Sequence, residues 1–382
     1  MVLKKTPLIP FGQKIGFLGG GQLAQMLALK AHSMGLIPYV LCENSSEPAV
    51  QVAPFWMKGH PHTHKDLKAF ANLVDVLTFE SEFYSGEKLA ALNLKKHEVD
   101  IFPRPQALSL LQDRLFQKEL LLQYHLPTAP YLKLNSMEEV EISLDLFKNG
   151  SVLKKRMGGY DGHGTYILRH RRDIEEFRTN FKRSENLFIA EAFIPFKREM
   201  AISVVRNRLG EMVFLPLVET KQTDQRCDYV IGPMKHRRLS HLKKLIKEFV
   251  QGLDYVGIMA FELFDTGSEL LVNEIAPRVH NSAHYSQNAL NCDQFEYHLR
   301  AVMGWKLPPC HVLGHSFAMT NLIGHSTQNP KLNTKITGHL HWYQKKENRP
   351  GRKMGHINYL SPKSSPQNLL KLALKERKSL SL

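Results

Sequence analysis

The stretch KIGFLGGGQLAQMLALKAHSMGLIPYVLCE, Lys14 to Glu43, sets the reading of the fold. An apolar run at Ile15 to Leu18 leads into three glycines, then apolar residues at helical spacing (Leu23, Met26, Leu27), with Gly35 closing the helix before a second apolar run. That is one βαβ unit. A further strand-like run, VDVLTFE (Val74 to Glu80), follows a helical stretch, so the chain up to about residue 112 reads as an α/β domain with a parallel sheet.

Working outward, a helix is expected from Asp113 to about Tyr124, ended by Pro127 and Pro130. From there to Ile189, strand-like runs at Val152-Leu153 and Tyr166 to Leu168 flank the glycine-rich turn RMGGYDGHGT, which suggests a small α/β unit carrying a loop. Beyond Glu191, alternation in REMAISVVRN, MVFLPLVET, GIMAFELF and ELLVNEIA predicts an antiparallel sheet. The tail from Asn329 to Leu382 is polar and basic.

Composition narrows the classes. The 382 residues, 43% hydrophobic and 23% charged, describe an ordinary globular protein. Cys42, Cys227, Cys292 and Cys310 form no CxxC pair and follow no secretory signal, so a reducing, cytoplasmic setting is expected. No stretch approaches the roughly 18 apolar residues of a membrane span. The net charge of +15 suits polyanionic partners, from nucleic acid to a phosphorylated metabolite, but the basic residues are dispersed with no nucleic-acid module to organise them, and no nucleic-acid partner is expected.

Several stretches carry chemistry. GGGQLA, Gly19 to Ala24, places backbone N–H groups and a helix dipole where an anion could bind; its GxGxxA spacing, with Glu43 about 20 residues on, also meets a dinucleotide fingerprint. KKRMGGYDGHG offers exposable N–H donors with Lys154 ahead of them, as in loops that fold over triphosphates, although glycine clusters also mark plain hairpins. Glu262 and Glu274 lie on successive strands joined by a short turn, with Asn273 beside the second; two facing glutamates repel unless a cation lies between them, and magnesium favours carboxylate oxygens completed by phosphates. PRVHNSAHYS follows at once, concentrating Arg278, His280, Asn281, Ser282 and His284 as candidates to hold an oxyanion. RPGRKMGH, Arg349 to His356, with Lys345 upstream, suits a phosphate monoester or is simply a solvated tail. HPHTH, His60 to His64, reads as a surface loop, with metal binding the alternative.

In this order, GGGQLAQMLALKA, QDRLFQK, LKKRMGGYDGHGT, VNEIAPRVHNSAH with QFEYHLRAVMG, and RPGRKMGH resemble the 5-(carboxyamino)imidazole ribonucleotide synthases of purine biosynthesis over most of the chain. The resemblance implies an α/β, ATP-grasp fold: an N-terminal Rossmann-like (pre-ATP-grasp) substrate-binding domain at 1–112, a small α/β lid at 113–190, a C-terminal α+β catalytic unit at 191–328 and a basic substrate-binding segment at 329–382. It implies an ATP-dependent carbon–nitrogen ligase that joins bicarbonate to aminoimidazole ribonucleotide through carboxyphosphate, with Mg2+, as a homodimer. ATP is expected at Arg114, Lys154, Gly159, Tyr160, Asp161, Gly162, His163, Gly164 and Thr165, at the adenine hinge Glu191, Ala192, Phe193 and Ile194, and at Glu199, Gln222, Asn273 and Glu274. The metal is expected at Glu262, Asn273 and Glu274, the ribonucleotide at Gln22, Leu23, Glu80, Glu82, Lys345, Arg352 and Lys353, and the intermediate at Tyr160, Asp161, Arg278, His280, Asn281 and Ser282. On this reading the glycine loop serves the phosphate side of a nucleotide substrate instead of NAD. The chain departs from the family pattern where PLVETKQ puts Gln222 in place of a histidine, in RVHNSAH for RPHNSGH, and at Ala24 for glycine. The competing classes are a dinucleotide-dependent oxidoreductase, a nucleic-acid binder, and a sister ligase that uses formate on glycinamide ribonucleotide.

Overall fold

The computed structural model describes residues 12–92, 99–159, 164–181, 187–325 and 336–380. The opening βαβ reading holds: β1 (Lys14–Leu18), α1 (Gln22–Ser33) and β2 (Ile37–Cys42) are joined by β3 (Phe55–Lys58), α2 (His64–Ala71), β4 (Val76–Phe79), α3 (Gly86–Ala90) and β5 (Asp100–Ile101). These five strands form a parallel sheet in the order β3-β2-β1-β4-β5. The near-continuous burial of β1 and β4 is what a sheet covered on both faces demands. Because the strand order reverses between β1 and β4, their carboxyl ends open a crevice, and the glycine loop and Glu80 lie there.

Asp113 ends α4 (Pro105–Gln112) and, by accepting the Leu115 N–H at 2.9 Å, caps α5 (Arg114–Gln123). The lid follows as an antiparallel sheet in the order β6-β9-β7-β8, with β6 (Tyr131–Leu134), β7 (Ser151–Lys155), β8 (Thr165–Leu168) and β9 (Phe188–Ala192). Its helices are α6 (Met137–Leu146), which starts on a Ser136/Glu139 capping box, and α7 (Arg172–Phe181).

The third sheet holds nine strands among the described residues and is antiparallel as expected. It comprises β10 (Arg198–Arg206), β11 (Met212–Phe214), β12 (Val218–Thr223), β13 (Arg226–Gly232), β14 (Gly257–Asp265), β15 (Leu270–Ala276), β16 (Ser316–Ile323), β17 (His339–Trp342) and β18 (Lys353–Ser361). The tail is therefore more than a polar segment: β18 pairs β16 and carries β17, and α11 (Pro366–Lys378) packs against them. The basic run at Arg237 to Lys247 also conceals a helix, α8 (Leu239–Gly252), whose Leu242, Leu245, Ile246, Phe249 and Val250 recur at core-facing spacing beneath the sheet. Then come α9 (Ser286–Ala289) and α10 (Gln294–Met303), and α10 packs between α1 and β14.

Phe249 is fully buried and meets Tyr124 and Phe261 edge-on, with ring centroids 5.5 and 6.0 Å away. Phe249→Ala is expected to destabilise the catalytic unit by about 3–5 kcal/mol. The measurement is urea unfolding followed by tryptophan emission and circular dichroism, with a lower midpoint at unchanged slope.

Candidate active site

The site is organised by one cross-strand pair. Glu262 on β14 lies directly opposite Glu274 on β15, and the next pair in register is Leu263 with Val272, which leaves Asn273 as the extra residue of a bulge. On a regular strand Asn273 and Glu274 would face opposite sides; the bulge lets both face the lid. Glu274 accepts from Arg114 Nη2 at 2.6 Å, and Asn273 Oδ1 accepts from Lys154 Nζ at 2.8 Å. Removal from water, with Glu274 and Glu199 nearby, pushes the Glu262 carboxyl up to about 7. This all-oxygen set of two carboxylates and an amide fits a hard divalent cation.

Arg114 and Lys154 thus converge on Glu274 and Asn273. Arg114 Nη1 also donates to Lys155 O (3.1 Å) and Nη2 to Gly159 O (3.4 Å), fixing the approach to the glycine-rich loop. Gly159, Gly164 and Thr165 bracket that loop; Tyr160, Asp161, Gly162 and His163 lie outside the described residues. Lys154 Nζ reaches Glu191 Oε2 at 3.1 Å, so one ammonium spans from the start of the Glu191–Ala192–Phe193–Ile194 segment to Asn273. Sequence reasoning missed Lys118. Fully buried on α5, it lies 3.2 Å from the same Glu191 oxygen and donates to Thr128 Oγ1 at 2.7 Å. Burial pushes its ammonium down to about 8; burial of Glu191 works the other way, and the two lysines together hold that carboxylate below its usual range. The only signal for Lys118 was its spacing of one helical turn from Arg114 in QDRLFQK. Glu199 accepts the Gln222 backbone N–H at 3.1 Å, where β13 bulges at Asp228 opposite the Lys221–Gln222 step of β12, which brings these two together across neighbouring strands.

The run after β15 folds back over the carboxylates. Arg278 grips Glu82 through Nε and Nη2, the latter at 2.9 Å, joining the first domain to the catalytic sheet. His280 Nδ1 faces Ser282 Oγ at 2.9 Å and Nε2 lies 3.3 Å from Glu262 Oε1. Burial, with Arg278 and Lys353 close by, holds His280 well below the usual histidine range, so it is neutral; Nδ1 accepts the Ser282 backbone N–H at 3.4 Å, which leaves the ring proton on Nε2, on the Glu262 side. Asn281 and Asn321 exchange reciprocal amide hydrogen bonds at 3.0 and 2.7 Å.

The glycine loop departs from its sequence reading. Glu80 occupies the helix terminus itself, accepting the N–H groups of Gly21 (2.7 Å) and Ala24 (3.0 Å), so the anion there is the protein's own carboxylate and not a phosphate. A Cβ at Gly19, where φ is +99°, would come within 2.4 Å of Glu80 Oε1, which is why glycine is needed. Gln22 and Leu23 open α1 immediately beside this contact. Glu43 faces His60 at 3.4 Å on the surface. In HPHTH, Thr63 caps α2 by accepting the Asp66 N–H, a structural use of the segment. Cations reach this crevice from the tail: Lys345 is pushed down to about 8 by burial and by Arg352 and Lys353, with Glu80 and Glu47 opposing. Gln51 holds this tail to the first domain through Gln344 O at 3.1 Å. Between Glu82, Phe83 and Gln112 on one side and Lys155, Met157, Gly158 and Leu187 on the other lies a pocket of about 400 Å³.

Comparison with known proteins matches three domain families along the chain. Residues 12–112 match a ribonucleotide synthetase preATP-grasp domain, 119–295 an ATP-grasp domain, and 318–366 a phosphoribosylaminoimidazole carboxylase C-terminal domain. The chain is 35% identical to an N5-carboxyaminoimidazole ribonucleotide synthase of Synechococcus elongatus over 90% of this chain and 89% of that one. It is 36% identical to its Synechocystis counterpart over 91% and 92%. Among solved structures, the Staphylococcus aureus N5-carboxyaminoimidazole synthetase complexed with ADP superposes with a TM-score of 0.87 at 30% identity, covering 97% and 98% of the two chains. The Aspergillus clavatus N5-carboxyaminoimidazole synthase in complex with ADP and 5-aminoimidazole ribonucleotide gives 0.83 at 26%, covering 96% and 99%.

A carboxyl whose folded pKa is raised stabilises the fold fully below its ordinary value of 4.5 and loses that contribution as pH rises through about 7. Metal-free protein should therefore lose part of its thermal stability as pH rises through about 7, and Glu262→Gln should remove that component. Mg2+, which needs the ionised carboxylate, should raise Tm more at about pH 8 than at about pH 6. Thermal scans with and without Mg2+ check this; an equal increment at both pH values would exclude Glu262 as a cation ligand.

Proposed function

The chain belongs to the N5-carboxyaminoimidazole ribonucleotide synthase family, and from that premise we propose how its site carries out the ATP-dependent carboxylation of 5-aminoimidazole ribonucleotide by bicarbonate. Lys154 carries the reading: it touches Glu191 at one end of the cleft and Asn273, beside the Glu262–Glu274 pair, at the other. A nucleotide triphosphate laid along it has its base at the Glu191–Ile194 hinge and its phosphates at Arg114, Glu274 and the lid.

Glu191 Oε1 is buried and, among the described residues, accepts no hydrogen bond, which leaves an acceptor for the exocyclic amine of adenine. Lys118 keeps Glu191 ionised and in place. Glu199, held by the Gln222 N–H, faces the ribose, and Gln222 takes over the position of the usual histidine with a neutral side chain. Glu262, Asn273 and Glu274 fit Mg2+, which when bound neutralises the phosphate charge that develops during transfer. Arg114, already paired with Glu274, orients the transferring phosphoryl group.

A bicarbonate oxygen attacks the γ-phosphorus, the bond to the bridging oxygen of ADP breaks, and carboxyphosphate forms. The exocyclic amine of the ribonucleotide then attacks the carboxyl carbon, phosphate leaves with the C–O electron pair, and the amine gives up one proton. Arg278 uses three of its five N–H groups on Glu82 and on Val279 O (3.1 Å), and its remaining two hold the carboxyl oxygens with Asn281, Ser282 and the lid residues Tyr160 and Asp161. His280, neutral and turned toward Glu262, orients that carboxylate. Lys345, Arg352 and Lys353 receive the ribonucleotide phosphate, beside Gln22, Leu23, Glu80 and Glu82. Among the described residues no helix is long and apolar enough to cross a membrane. Family membership supports a cytoplasmic homodimer as the working form.

ADP release should be stimulated by 5-aminoimidazole ribonucleotide with bicarbonate and not by glycinamide ribonucleotide with formate; equal or absent stimulation in the two overturns the assignment. In the stimulated assay Glu274→Gln should lower kcat about 10²-fold or more, and near wild-type turnover would remove Glu274 from the metal site.

A further inference from the structure

The motif QFEYHLRAVMG has no role in the reaction described above, yet its first residue makes an unusually complete set of contacts. Gln294 opens α10 and is fully buried. Its Oε1 accepts the backbone N–H of His280 at 2.9 Å, and its Nε2 donates to the backbone carbonyl of the same residue at 3.0 Å and to His284 Nδ1 at 2.7 Å. The carboxamide thus grips the His280 main chain as a paired strand would. A backbone N–H can only donate and a carbonyl only accept, so this orientation of the amide is the one that satisfies both.

The grip is itself rigidly based. Asp293 caps α10 by accepting the N–H groups of Phe295 (2.9 Å) and Glu296 (2.8 Å), and its other oxygen meets Lys30 of α1 at 2.7 Å. The Gln294 N–H goes to Ser286 Oγ at 2.9 Å, whose hydroxyl donates to Ala283 O at 2.6 Å. The turn from His280 to Ser286 is therefore tied at both ends to the start of one helix. His284 accepts from Gln294 at Nδ1, so its neutral ring carries the proton on Nε2, and deep burial with other cationic and imidazole groups nearby keeps it neutral.

We infer that Gln294 is a positioning residue for the carboxylation, fixing the His280 backbone so that the imidazole Nε2 is held beside Glu262 Oε1, 3.3 Å away. The path is short: Gln294 amide, His280 main chain, imidazole oriented by Ser282, carboxylate. It rests on the reading of Glu262 as a metal carboxylate, and it explains why a residue outside the cleft is buried with every strong hydrogen-bonding site used. Orienting groups of this kind typically contribute about 10–100-fold in metal affinity or activity.

Gln294→Met keeps length and volume and removes all three hydrogen bonds. It should lower kcat and raise the half-saturating Mg2+ concentration, each by about tenfold or more, while KM for 5-aminoimidazole ribonucleotide stays unchanged. His280→Asn should do the same, and the double variant should be no worse than His280→Asn alone, since two steps of one path do not add. Multiplying effects, or a wild-type Gln294→Met, would overturn the inference. Gln294→Glu is the second variant if Met impairs folding: it keeps the acceptor toward the His280 N–H but sets an oxygen against His280 O and His284 Nδ1, so it too should raise the Mg2+ requirement. Imidazole nitrogen NMR of substrate-free protein gives an independent reading, with His280 wholly Nε2–H in the wild type and tautomerically mixed in Gln294→Met. An unchanged His280 signal in that variant overturns the positioning role, whereas an inactive wild type with 5-aminoimidazole ribonucleotide would instead overturn the functional reading.

Discussion

Two glutamates set face to face across β14 and β15 are the constraint around which this molecule is arranged. Left alone, Glu262 and Glu274 repel, and the rise of the Glu262 pKa to about 7 reflects that repulsion on top of desolvation. Glu199 on β10 adds to the repulsion, and three other elements supply opposing groups. The helix α5 brings Arg114 to Glu274, the turn after β15 brings His280 to Glu262, and the field of Lys353 on β18 opposes the rise at Glu262. What these groups leave is an all-oxygen set of two carboxylates and the Asn273 amide, which suits a hard divalent cation.

The same economy of shared partners recurs one layer out. Glu191 receives two ammonium groups, from Lys118 and Lys154, and Lys154 in turn reaches Asn273. Lid, linker helix and catalytic sheet are thereby joined through a single buried carboxylate. Removing Glu191 would leave both ammonium groups without their counter-charge in a place where water cannot replace it, which costs far more than the pairs themselves contribute. Arg278 and Glu82 make the corresponding link between the first domain and the catalytic sheet.

Much of this was legible in the sequence for physical reasons that can be named. Period-two alternation and the short turn at Asp265 to Ser268 were enough to place Glu262 and Glu274 on adjacent antiparallel strands. What pattern could not show is the bulge that turns Asn273 to the same side as Glu274, since one extra residue leaves no mark on composition. Lys118 was hidden because a lysine in a polar helix looks solvated, and only the long-range meeting with Glu191 reveals it as buried. The basic surface reading concealed α8, although Leu242, Leu245, Ile246, Phe249 and Val250 already carried helical spacing. The tail was read for its charge, and its strands β17 and β18 find their hydrogen-bond partners only once β16 is in place.

The glycine loop shows why local fingerprints mislead. A helix N-terminus after a parallel strand attracts an anion, and the sequence meets that requirement in full, but the attraction does not specify whose anion arrives. Here β4 is the next strand beside β1, and its end delivers Glu80 onto the N–H groups of Gly21 and Ala24. Burial there pushes the Glu80 carboxyl up despite those two donors. Once the helix end is filled from within, a phosphate must find its cations elsewhere, and Lys345, Arg352 and Lys353 come over from the far end of the chain to the same crevice. The loop thus acts as a floor that orients Glu80, and the positive charge of this crevice belongs to the tail.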